Sequence, residues 1–278
     1  MNAAVEAALG GGMRAGARSG VPGGERTTAR LGRYAWWQLK DFARERGVWI
    51  MALGLLALWI FRANYEAPTW IRSPRGFSGS YLPTEADFFR AQLMRLVGVG
   101  SFVATLIATH GIVARDRERG YQRFLFAKPV SITRYYLQAF LVHGVGYLAI
   151  VAALLLATAA SFGRAVPAAG VLIYAGAQYV LVGGLVMLLS TLGRYDFAVG
   201  GLLSVASIPV ALMGARWHAS TWWKVAALLL PPLPSLVSAG DSVARGRLPV
   251  VELVAPLCYG TLYVAAALGV LRRRAIRV

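Results

Sequence analysis

Cysteine occurs once, at Cys258, in 278 residues. That excludes an intrachain disulfide framework and any metal cluster built on paired thiolates within the chain. Charge is scarce, at 15% of residues, and acid is scarcer: 12 Asp and Glu stand against 29 Lys and Arg. There is no Gly-Lys pair, so the chain cannot supply the phosphate-cradling loop of a P-loop ATPase. His-Glu-x-x-His, Gly-x-Ser-x-Gly and carboxylate pairs at helical spacing within the apolar runs are also missing. The sequence therefore displays no catalytic, metal or cofactor site, and the expectation is a protein that is not an enzyme.

What the chain has is apolar length. Hydrophobic residues make up 57% and mean hydropathy is +0.56, too apolar for a water-soluble fold of this size. The apolar residues gather into runs that can cross a hydrocarbon core of roughly 30 Å as helices rising 1.5 Å per residue. Six spans are predicted, at 47–61, 91–113, 135–160, 168–192, 197–215 and 250–271. The first is short, with Arg62 snorkelling at its end. Before it, residues 31–46 are amphipathic. Leu31, Tyr34, Ala35, Leu39 and Phe42 share one helical face, Arg33, Lys40 and Arg44 another, and Trp36 and Trp37 flank them, the pattern of an interfacial helix. Residues 1–30, rich in Gly and Arg without an apolar centre, read as a disordered cytoplasmic tail, not a signal peptide.

The net charge of +17 would suggest nucleic acid in a soluble protein. Here the basic residues lie between the apolar runs, where topology explains them and no nucleic-acid partner is needed. Residues 1–46 carry eight Lys and Arg, 115–134 six, Arg194 one and the C-terminus four. Six spans put all of these on one side, with both termini cytoplasmic and the protein in a bacterial inner membrane. The apolar stretch 222–230 is cut by Pro231, Pro232 and Pro234 and is too short to cross, so 217–240 is expected to be re-entrant or interfacial. Segments 62–90 and 216–249 hold Tyr65, Trp70, Tyr81, Trp217, Trp222 and Trp223, residue types that favour the headgroup region of membrane lipids.

The loop at 115–134 mixes signs densely: Arg115, Asp116, Arg117, Glu118 and Arg119, then Gly120, Tyr121, Arg123, the apolar Phe124–Phe126, and Lys128-Pro129-Val130-Ser131. Such a loop is either a solvated charged turn or a docking surface for a soluble partner. The run resembles the coupling loop of ABC-2-type transporter permeases, matching their pattern at Glu118, Gly120, Leu125, Ala127, Pro129, Val130 and Ser131. It departs with Tyr121 where Thr is usual and Arg123 where an acid is usual. The resemblance extends over residues 31–278, from an elbow helix through six spans to an interrupted outer segment. It implies an all-α fold like that of the ABC-2, type V exporters, and a permease subunit with no ATPase site of its own. A separate ATPase dimer, holding ATP and Mg, would contact Arg115–Pro129, and a second permease copy or paralogue would complete the pore. The rival expectation is a non-transporting membrane anchor in a larger complex.

Ionisable groups inside spans are costly and so are candidates for function. Arg95 is expected one turn inside the second span, either snorkelling as an anchor or meeting substrate. His110 and His143 are expected to make helix–helix hydrogen bonds, or to relay protons or contact a ligand. Glu252, at the start of the last span, reads as an interfacial residue or a substrate carboxylate. The few charges within the spans favour an amphipathic or apolar cargo over a small ion.

Overall fold

In an apolar solvent a backbone must satisfy its own hydrogen bonds, so apolar runs of this length become helices. The computed structural model describes residues 35–65, 84–118, 131–193, 196–216 and 230–275. The described residues form seven helices: α1 (Ala35–Asn64), α2 (Glu85–Thr109), α3 (Ile132–Phe162), α4 (Ala168–Leu192), α5 (Asp196–Arg216), α6 (Leu233–Ala244) and α7 (Val250–Ala275). A single further helical turn, Ala114–Glu118, follows α2. Five of the seven, α1 to α4 and α7, are long and apolar enough to cross a membrane.

One predicted boundary needs correction, that of the interfacial helix, expected to end at Arg46 before a span beginning at Gly47. The helical backbone runs straight through Phe42, Gly47 and Val48, and α1 is one helix of 30 residues, about 45 Å long, with a π-helical turn at Ala43–Gly47. Gly47 does not break it, because in an apolar setting the helix is the conformation that pairs every backbone group. The span expected over 197–215 needs none. It forms as one helix, α5, of 21 residues that matches the predicted bounds and carries Pro209 within it.

Local chemistry sets the other ends. α2 starts at Glu85, six residues before the predicted Ala91, because Thr84 and Asp87 form a capping box. The Thr84 hydroxyl accepts from the Asp87 N–H at 3.2 Å, and Asp87 accepts from the Thr84 N–H at 3.1 Å. α3 stops at Gly163, whose φ of 61° is the left-handed cap that glycine adopts without strain. α6 begins at Leu233 with Pro232 as its cap and Pro234 in its first turn, so the prolines that interrupt the apolar stretch start a helix. At 12 residues, about 18 Å, α6 is too short to span.

α4 is the axle of the bundle. It is the most buried of the spans, and α2, α3, α5, α6 and α7 pack around it. Its small residues permit this: a Cβ on Gly184 would stand 2.6 Å from the Gly260 carbonyl oxygen, and one on Gly260 would stand 2.6 Å from the Val180 carbonyl. The backbones of α4 and α7 therefore touch, the close approach that small residues allow in membrane bundles. The tail 1–30, Arg33, the loop residues 119–130 and the outer segment 217–229 lie outside the described residues.

Candidate functional site

At the end of the bundle where α1 begins, α2 ends and α3 begins, three helices are tied by charged side chains. Arg46, in the π-helical turn of α1, donates from one guanidinium nitrogen to the Ala108 carbonyl of α2 at 2.8 Å. The same nitrogen donates to Nδ1 of His143 on α3 at 2.8 Å. Arginine has no acceptor, so Nδ1 accepts and the neutral ring carries its proton on Nε2. The Phe42 ring packs on His143 with centroids 5.1 Å apart, and a Cβ on Gly146 would collide with Phe42 at 2.6 Å, so glycine opens the space the ring fills. One turn beyond, Arg115 pairs with Glu45 of α1. The chain reaches Arg115 from α2 through Gly111, at φ 69°, a conformation that favours glycine.

A second polar set runs inward from there. The Tyr179 hydroxyl, in the π-helical turn Tyr179–Gly183 of α4, donates to the Phe140 carbonyl of α3 at 2.7 Å. Its ring stacks on Tyr147 at 5.4 Å. The Tyr147 hydroxyl reaches the Ser101 carbonyl of α2 at 3.5 Å. The Ser101 hydroxyl donates to the Gln178 side-chain oxygen, and the Gln178 amide donates to the Gly98 carbonyl at 3.2 Å. Each donor in this set finds an acceptor on a neighbouring helix, as buried polar groups must in a medium without water.

At the opposite end the ties are aromatic and ionic. Phe61, Tyr65, Phe89 and Phe162 form one cluster from α1, α2 and α3, with centroids 5.1 to 6.1 Å apart. Arg164, just past α3, pairs with Glu85 and lies over the Tyr65 and Phe89 rings. The hydrogen bond to Glu85 raises the Arg164 pKa further above its already high value, so the pair stays ionic. The Ser242 hydroxyl of α6 donates to Glu252 of α7 at 2.7 Å.

The sequence-selected residues are distributed across both ends. Trp36 and Trp37 are exposed, and Lys40 lies over the Trp37 ring at 5.3 Å. Arg115 and Asp116 stand at the root of the loop, and Arg117 and Glu118 end the turn that follows α2. Arg119, Gly120, Tyr121, Arg123, Phe124, Lys128 and Pro129 lie outside the described residues. Arg95 is exposed and sits ten residues into α2, deeper than the expected single turn, because the capping box starts the helix early. His110 lies toward the C-terminal end of the second candidate span, where it caps α2 and is exposed. His143 makes its helix–helix bond, and its partner, Arg46, was not among the residues singled out from sequence. Neither were Glu45, Tyr179, Gln178 and Glu85, since their partners are 39 to 80 residues away and no local pattern marks them.

The helices define a multi-pass α-helical membrane protein by length and hydropathy. No protein-family model, curated protein or solved structure matches the chain.

Proposed function

We propose that the chain is the membrane-spanning permease subunit of an ATP-binding cassette exporter of the ABC-2 type, driven by a separate ATPase that docks on the loop after α2. The sequence resemblance of residues 115–131 names the partner. The observation that carries the reading is how the root of that loop is fastened. Arg115 pairs with Glu45, and Arg46 holds the carbonyl end of α2 together with His143 of α3. A load applied at the loop thus reaches α1, α2 and α3 together, which is what a permease needs to turn motion of a soluble motor into rearrangement of its spans. Chemistry stays in the partner, where ATP and Mg bind. A second permease copy or paralogue completes the pathway.

The test reverses one charge in the docking segment. Glu118→Arg should insert normally yet lose substrate-stimulated ATP hydrolysis and weaken the complex, because an unpaired charge at such an interface costs about 2–5 kcal/mol. Normal substrate-stimulated hydrolysis by that variant would sink the assignment.

A further inference from the structure

α1, α2 and α3 are tied to one another at both ends, and part of the length between is left open beside the close Gly54–Leu154 approach. There they enclose a groove of about 260 Å³ lined by Leu53, Gly54, Leu58, Leu93, Gly100 and Thr158, among others, almost wholly apolar. Apolar cavities of about 150 Å³ stay dry and accept hydrocarbon, so a groove of this size in a membrane protein is a site for hydrocarbon. It opens sideways: Leu53 is 46% and Val103 39% exposed on its lips. Gly100 is exposed as well, and a Cβ built on it meets no atom within 4 Å.

Arginines stand beyond both ends of the groove: Arg46, one turn before Ile50, is committed to Ala108 and His143, and Arg62 stands at the other end. One helical turn beyond Leu58 on α1 comes Arg62, and one turn beyond Thr158 on α3 comes Phe162. The Arg62 guanidinium lies over the Phe162 ring at 5.3 Å, which places it above the mouth of the groove. Arg62 is exposed, and no carboxylate among the described residues pairs with it, whereas nearby Arg164 is committed to Glu85. Phe61, Phe89 and Phe162 cluster at that end, one to four residues beyond the groove-lining positions, and the exposed lips leave the side as the way in for a chain.

We propose that this groove is a binding site for one acyl chain of an anionic phospholipid, whose phosphate is held by Arg62. The occupant is chosen by charge: a guanidinium with no carboxylate partner among the described residues, beside an apolar slot, matches a phosphate joined to hydrocarbon. The site is independent of any transport cycle, and the lipid can be a resident component whatever the energy source.

The full chain is reconstituted in vesicles of phosphatidylcholine containing phosphatidylglycerol, extracted in mild detergent, and its retained lipid weighed by native mass spectrometry. The unaltered chain should retain one phosphatidylglycerol in preference to phosphatidylcholine. Gly100→Phe, on the groove wall where a Cβ meets no atom within 4 Å, should lower retention at least tenfold, and Leu53→Trp, at the lip, should do the same if Gly100→Phe fails to fold. Arg62→Gln should keep one lipid but remove the preference for phosphatidylglycerol. Equal retention by the unaltered and filled chains, no retained lipid at all, or an unchanged preference in Arg62→Gln overturns the proposal.

Discussion

Arg46 illustrates why a charge can be kept inside an apolar bundle. Its desolvation is offset by a carbonyl and an imidazole that both accept from one nitrogen, and the side chain locks three helices at one point. Arg46→Met leaves the His143 and Ala108 acceptors empty, which should cost about 1–3 kcal/mol and lower the thermal midpoint in detergent by several degrees. An unchanged midpoint would mean that the bond contributes nothing to the fold. The Glu45–Arg115 pair behaves differently, because both side chains are more than a third exposed. Its contribution to stability should be only about 0.2–1 kcal/mol, yet if the loop is pushed by a motor, coupling depends on it. Glu45→Arg should therefore reduce transport far more than it reduces the midpoint, and adding Arg115→Glu should restore transport. Failure of the exchange to rescue would break the proposed link between loop and first helix.

Among elements, the α4–α7 contact is the tightest, and it gives a matched pair of outcomes. Gly260→Val must push against the Val180 backbone at 2.6 Å, where neither helix can yield without moving. Overpacking of this kind costs about 1–3 kcal/mol and should lower the midpoint and the yield of folded protein. Gly269→Ala lies on the same helix in open space, where replacing a helical glycine should stabilise by about 0.5–1 kcal/mol. Helix existence was legible in the sequence because the bilayer imposes one solution on apolar runs. The span 168–192 and the start at Val250 coincide with α4 and α7. Boundaries were less legible where a small local motif decides them, as with Thr84 and Asp87 at α2. Gly47 was misleading: glycine ends helices in water, but here Ile150 packs within 3.4 Å of where its Cβ would stand and the helix continues. The site was half legible. The charged loop and His143 stand out in one dimension, whereas Arg46 becomes interesting only when α3 is folded against α1.

For the molecule as a whole, stability comes from packing and interhelical hydrogen bonds more than from burial, since lipid is as apolar as the core. That fits a bundle whose outer faces remain apolar, with Trp49, Trp59, Val99, Leu156, Leu202 and Val251 all exposed. The polar ties gather at the two ends and in the Tyr179–Tyr147–Ser101–Gln178 set, whose Ser101 also lines the α1–α2–α3 groove. In the transporter reading the motor acts at the end where Arg46 and Arg115 tie α1, α2 and α3. The most direct measurement is affinity capture of the full chain from its native membrane in mild detergent, with every co-purifying polypeptide identified and its stoichiometry determined. A P-loop ATPase recovered at equal stoichiometry is the expected result. Its absence, under conditions that keep known transporters whole, would contradict the permease assignment and leave a membrane anchor in another assembly as the account of this chain.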